Sequence, residues 1–189
     1  ELLDIKYNHP EGLFFPETYN IHKNISDIDV LKRAYALTKK NLHDLWDGRD
    51  QGLPFETPYE ALILASIVEK ESAVEEERTL IAGVFINRLR KNMRLQTDPT
   101  VIYGMGDNYK GDIRFRDLRN DTPYNTYTRS GLPPTPIAMP GYGAIKAVMH
   151  PEKSDYLYFV AFSDNSGRHK FSSTFAEHNK AVDKYQRKK

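Results

Sequence analysis

The segment TPYEALILASIVEKES, residues 57–72, places the tightest constraint on how this chain can fold. It begins as helices begin, with Thr57 as N-cap, Pro58 at the first helical position and Glu60 closing a capping box. The mainly apolar run 61–68 that follows is far shorter than the roughly 20 residues a bilayer span needs, so the rest of the chain must bury it. At about 100° per residue from Leu62, the positions Ile63, Ile67, Leu64 and Val68 fall between about 100° and 240°, one apolar stripe. Glu69 falls near 340°, on the side that also carries Ser66 and Lys70, and is expected to be a solvated surface charge. Glu71 falls near 180°, in the middle of the stripe. Two readings of it stay open on periodicity alone. It is an embedded acid whose pKa burial raises, able to hand a proton to a leaving oxygen as glycosidic cleavage requires, or it is a helix-end residue whose head reaches water.

Further helices are expected at 27–46 (Ser26 cap, Asp27 and Asp29 in the first turn, Gly48 at the end), at 75–91 and at 174–186, with a short one in GYGAIKAVMHP. Residues 1–24 read as extended or loop. YLYFVAFSDNSGRHKFSSTF reads as two strands around a Gly/Asn/Asp turn, a hairpin within 156–172. From 93 to 141 the prolines 99, 123, 133, 134, 136 and 140 break the chain into short turns, while Tyr103, Tyr109, Tyr124 and Tyr127 supply surface to bury. A stretch of that kind builds a site more often than it stays loose, so it is expected to be ordered and to line a cleft containing Glu71. The fold class is α+β: a single mixed domain over 1–189, mainly helical, with a small antiparallel hairpin.

Twenty-seven Lys and Arg against 26 Asp and Glu leave a formal charge of +1, which gives no footprint for nucleic acid. The basic run KYQRKK, 184–189, reads as a frayed helix end. No cysteine is present, which removes disulfides, thiolate metal sites and cysteine nucleophiles. His150 and the other histidines lack metal-ligand spacing, and Gly104, Gly106 and Gly111 do not form a phosphate loop. No metal or other cofactor is expected. The chain opens without Met, directly on ELLDIKYNHPEGLFFPETY, and is expected to be a piece of a longer protein.

ASIVEKES, VFINRLRKNMRLQTDPTVIYGMG, YNTYTRSGLPPTPIAMPG, HPEKSDYLYFV and EGLFFPETY resemble, over about residues 11–185, the MltG (YceG-like) endolytic murein transglycosylases. In that family the second glutamate of the VEKE element is catalytic, which here is Glu71. The resemblance implies cleavage of the MurNAc–GlcNAc β-1,4 bond without water, closing the MurNAc 6-hydroxyl onto its own C1. It implies peptidoglycan strands as substrate, the cell-wall synthesis machinery as partner, and a place on the outer face of the cytoplasmic membrane. The membrane is reached through an N-terminal anchor that, like a LysM-like segment, lies outside this chain. Where the family has Thr, this chain has Ser72, also a hydroxyl beside the glutamate.

The substrate-side expectations follow the matched loops. Gln96 is a candidate contact to sugar amides. Asp98 either stabilises oxocarbenium character or, standing before Pro99, caps a helix. Tyr124, Asn125, Thr126 and Tyr127 offer aromatic faces, an amide and hydroxyls to the glycan, or pack beneath the loop. Glu17 is an exposed loop acid or lies near the cleft. Two competing classes are a non-catalytic glycan-binding module, which would not need Glu71, and a lysozyme-like hydrolase, which wants a second carboxylate.

Overall fold

A computed structural model describes residues 5–7 and 9–187; positions 1–4 and 8 of the expected N-terminal loop, and 188–189 of the basic run, lie outside the described residues. Seven α-helices and one hairpin are present among them, which is the expected α+β class. Helix α1 (Asp27–Asp47) is capped by Ser26, whose side chain accepts from the Asp29 amide, and buries Ala34, Thr38, Leu42 and Leu45 along one stripe. Helix α2 (Pro58–Glu71) begins with the full Thr57/Glu60 capping box and Pro58 at its first turn, and ends at Ser72.

Helix α2 is the axis of the core, and here the stripe needs correcting. Every residue from Ala61 to Val68 is buried, Ser66 included, so the helix has no wet flank along this stretch. The reason is its neighbours: α3 (Arg78–Arg90), α4 (Asp98–Met105) and α6 (Tyr142–Met149) pack on it together with α1. Ser66 is tolerated there because its hydroxyl is used twice, donating to the Ile63 carbonyl at 2.7 Å and accepting from the Ile137 amide at 2.9 Å. Glu69 is likewise not a free surface charge. It accepts from the Gly141 amide at the start of α6 at 3.1 Å and faces the Arg78 guanidinium at 3.9 Å, so it closes the N-terminus of α6 from a neighbouring helix.

The chain leaves α2 through a 3₁₀ turn, Glu75–Glu77, into α3. Gly83 allows α3 to lie against the backbone at 152, since a Cβ there would stand 2.6 Å from the Glu152 carbonyl oxygen. The Pro-rich stretch is less irregular than expected: it contains α4, the turn Gly106–Asn108 and α5 (Phe115–Arg119). Strands β1 (Tyr158–Ala161) and β2 (His169–Ser172) pair antiparallel, Tyr158 facing Ser172 and Ala161 facing His169. Asn165 and Gly167, both at positive φ, turn the chain between them. Helix α7 (Phe175–Tyr185), opened by a Thr174/Glu177 capping box, packs on this hairpin. No helix among the described residues is long and apolar enough to cross a membrane.

Candidate active site

A cleft of about 410 Å³ opens where the C-terminal end of α2, the turn before α4, the hairpin and α7 meet. Glu71 lies in it, as the last residue of α2. Burial pushes its carboxyl pKa up. The Asp98 charge adds to that rise, while a hydrogen bond from Thr97 and the nearby His169 oppose it. Position acts in the same direction as burial, because a carboxylate at a helix C-terminus stands at the negative end of the macrodipole. Glu71 is thus built to carry a proton.

Thr97 Oγ1 donates to Glu71 Oε1, a contact that sequence reasoning passed over although it weighed the residues on both sides of it. Thr97 occupies the N-cap position of α4 and Asp98 is the first helical residue, so the helix begins one residue earlier than the reading of Asp98 as cap implied. Its hydroxyl does not cap the helix; it is spent on Glu71. Two further threonines hold it there. The Thr97 amide donates to Thr126 Oγ1 at 3.1 Å, Thr126 Oγ1 and Thr100 Oγ1 are 2.9 Å apart, and Thr100 donates to the Thr97 carbonyl at 2.8 Å. All three are buried. That this N-cap threonine spends its hydroxyl on another helix is decided by the tertiary structure, and no pattern in the sequence signals it.

Gln96 lines the cleft at a φ of 51°, a left-handed conformation that costs a non-glycine residue of order 1–3 kcal/mol unless its surroundings enforce it. They do. Its amide donates to the Thr126 carbonyl at 3.2 Å and its Oε1 accepts from Arg88 at 3.2 Å. Arg88, another residue not anticipated, is buried and ties three segments together, donating to the carbonyls of Arg94, Leu95 and Leu157 at 3.0, 2.9 and 2.6 Å. Asp98 lines the cleft and accepts from the Tyr127 hydroxyl at 2.5 Å. Burial first, then Asp98, drives the Tyr127 pKa far up, so the phenol keeps its proton and its donor role.

The remaining expected contacts do not reach this cleft. Asn125 is 1% exposed and its amide is fully engaged: Nδ2 donates to the carbonyls of Asn120 and Leu118 at 2.7 and 3.1 Å, and Oδ1 accepts from the Tyr127 amide at 2.8 Å. Tyr124 packs on Tyr103 with ring centres 4.8 Å apart and shares a hydrogen bond with Thr135. Thr126 belongs to the threonine network. Ser72 donates to the Val74 carbonyl at 2.7 Å and shapes the exit from α2. Glu17 is exposed and bonds its own neighbour, Thr18. The Pro-rich segment therefore meets the cleft through 95–98 and Tyr127, while Pro133 and Pro134 line a separate groove with Tyr59. Among the described residues no three imidazole or carboxylate groups come together as metal ligands.

The profile of the YceG-like family matches residues 2–184. This chain belongs to the YceG-like family. It is 40% identical over 179 residues to the endolytic murein transglycosylase of Bacillus subtilis, covering 94% of this chain and 48% of that protein. It is 38% identical over 157 residues to the endolytic murein transglycosylase of Streptococcus pneumoniae serotype 2, covering 80% of this chain and 28% of that protein. A crystal structure of a YceG-like protein from Listeria monocytogenes superposes with a TM-score of 0.78 at 40% identity, covering 95% of this chain and 58% of that one. The chain spans about half or less of the length of the curated relatives it matches.

Proposed function

We propose that this domain is the catalytic part of a peptidoglycan lytic transglycosylase, with Glu71 as its single general acid and base. The observation that carries this reading is a carboxyl group whose pKa burial raises, hydrogen-bonded by Thr97 in a cleft of about 410 Å³, within a chain 40% identical to an endolytic murein transglycosylase. Protonated Glu71 gives its proton to the glycosidic oxygen as the bond from C1 breaks. The same carboxylate then takes the proton of the MurNAc 6-hydroxyl while that oxygen bonds to C1, which leaves a 1,6-anhydro end and returns Glu71 to its starting state. The nucleophile belongs to the substrate, and its proximity replaces the second carboxylate that other glycosidases need. In this reading Thr97 keeps the carboxyl aimed between the two oxygens. In this reading the reaction takes place outside the cytoplasmic membrane, where peptidoglycan lies.

Asp98 is a second carboxylate in the same cleft, which is the one observation favouring a hydrolase. It already accepts a 2.5 Å hydrogen bond from Tyr127, which makes it a poor base for water, and we assign it to stabilising positive charge at C1. Digestion of purified peptidoglycan followed by mass spectrometry separates the readings. A transglycosylase releases fragments lighter by one water than the reducing ends a hydrolase leaves, and a binding module releases none.

A further inference from the structure

A second set of cleft-lining side chains comes from the hairpin and α7, far beyond Glu71 in the chain, from Tyr158 to His178. The ring of Tyr158 lies nearly parallel to the His178 imidazole, 5.1 Å between centres and 22° between planes. Phe175 stands 5.9 Å from the same Tyr158 ring. His178 joins this wall as a neutral ring: burial, and then the Arg88 charge, hold its pKa below the ordinary imidazole range. Its Nδ1 is buried with no hydrogen-bond partner. Of the polar side chains of the cleft, Glu71, Gln96, Asp98 and the Tyr127 hydroxyl come from α2 and the Pro-rich segment, and Arg88 comes from α3.

Phe175 is the residue that packing does not explain. It is the first residue of α7, where the Thr174/Glu177 capping box already secures the helix start, and Ala181 is the residue of α7 that is buried. Yet Phe175 leaves 61% of its surface in water at the rim of the cleft. Single exposed apolar residues are ordinary. An exposed ring continuous with two others inside a polar cleft is a surface with something to cover. A β-1,4-linked amino sugar has the matching shape, with C–H groups on its ring faces and hydroxyl and amide groups on its edges.

We propose that Phe175, backed by Tyr158 and His178, forms a stacking subsite that takes the apolar face of one sugar ring of an N-acetylamino-sugar glycan and sets the strand's position relative to Glu71. The proposal rests on the glycan-cleaving reading above. It is tested with uncross-linked strands prepared from purified peptidoglycan. Binding is measured in a Glu71→Gln background, so that nothing is consumed, and turnover in the otherwise unsubstituted protein. Phe175→Ala should weaken strand binding by about 5- to 10-fold, as loss of an aromatic contact implies, and raise KM more than it lowers kcat. Phe175→Trp should restore both. A thermal melt should move little, because the ring is mostly exposed.

Strand binding by Phe175→Ala within about twofold of its parent, equal losses in the Ala and Trp variants, or no strand binding by the parent protein would each overturn the subsite. The two proposals fail separately. Phe175-dependent binding without anhydro ends sinks the transglycosylase reading and keeps the subsite; anhydro ends formed at unchanged KM in Phe175→Ala do the reverse.

Discussion

Asn125 provides the sharpest test of the site's architecture, because a substrate contact and a structural clamp predict opposite behaviour. The three shortest hydrogen bonds of its side chain, at 2.7, 2.8 and 3.1 Å, join it to Asn120, Tyr127 and Leu118 at 1% exposure, with a longer one of 3.4 Å to the Asp117 carbonyl. Each of the three is worth about 1 kcal/mol net, so Asn125→Ala should destabilise the protein by about 3 kcal/mol. For a chain of 150–250 residues that corresponds to a fall in Tm of about 6–12 °C. Activity should fall as well, since Asn125 fixes the backbone of Tyr127, which holds Asp98, and adjoins Thr126, which holds Thr97. Asn125→Asp should be at least as damaging, because it turns a charge toward carbonyl oxygens. Thermal unfolding followed by circular dichroism, run beside release of soluble fragments from peptidoglycan, gives both readouts. A melt unchanged to within about 1 °C together with lost turnover would refute the clamp and make Asn125 a substrate contact.

Glu71→Gln should lower formation of anhydro ends by at least about 10²–10⁴-fold, measured by mass spectrometry of digests. The same variant should be more stable than its parent at neutral pH and lose that advantage in acid. The folded-state pKa of Glu71 is raised, so the folded form binds the proton more tightly, and its stability declines as pH climbs from the ordinary carboxyl range through the raised value. Melts across pH check the sign, and an advantage that grows in acid would contradict it. Glu69→Ala removes the acceptor for the Gly141 amide and should cost about 1 kcal/mol in an equilibrium melt, with turnover near the parent's. Gly83→Ala forces a Cβ against the Glu152 carbonyl at 2.6 Å and should cost about 1–3 kcal/mol in the same assay.

What could be read from the sequence is what neighbouring residues settle among themselves. The caps at Ser26, Thr57 and Thr174 each accept from an amide three residues on, so they mark helix starts without any help from the fold. The hairpin follows from a turn at Asn165 and Gly167 between two apolar runs. Glu71 stood out because a carboxylate interrupts an apolar period, a property of one helix. Burial of all sides of α2 was not visible in the same way. The sequence pattern shows which residues are apolar, while α1, α3, α4 and α6 decide how many sides are covered, and so turn Ser66 and Glu69 from apparent surface groups into internal bonds. The same holds for the 124–127 loop, where side-chain direction has no period to follow. Asn125 and Thr126 turn inward because their partners lie at 117–120 and 97–100, and those bonds form only once α4 and α5 are in place. The aromatic wall is the extreme case. Tyr158 and His178 reach the cleft from β1 and α7, and no local rule connects residues so distant in the chain to Glu71; only packing of the hairpin on α3 brings them there.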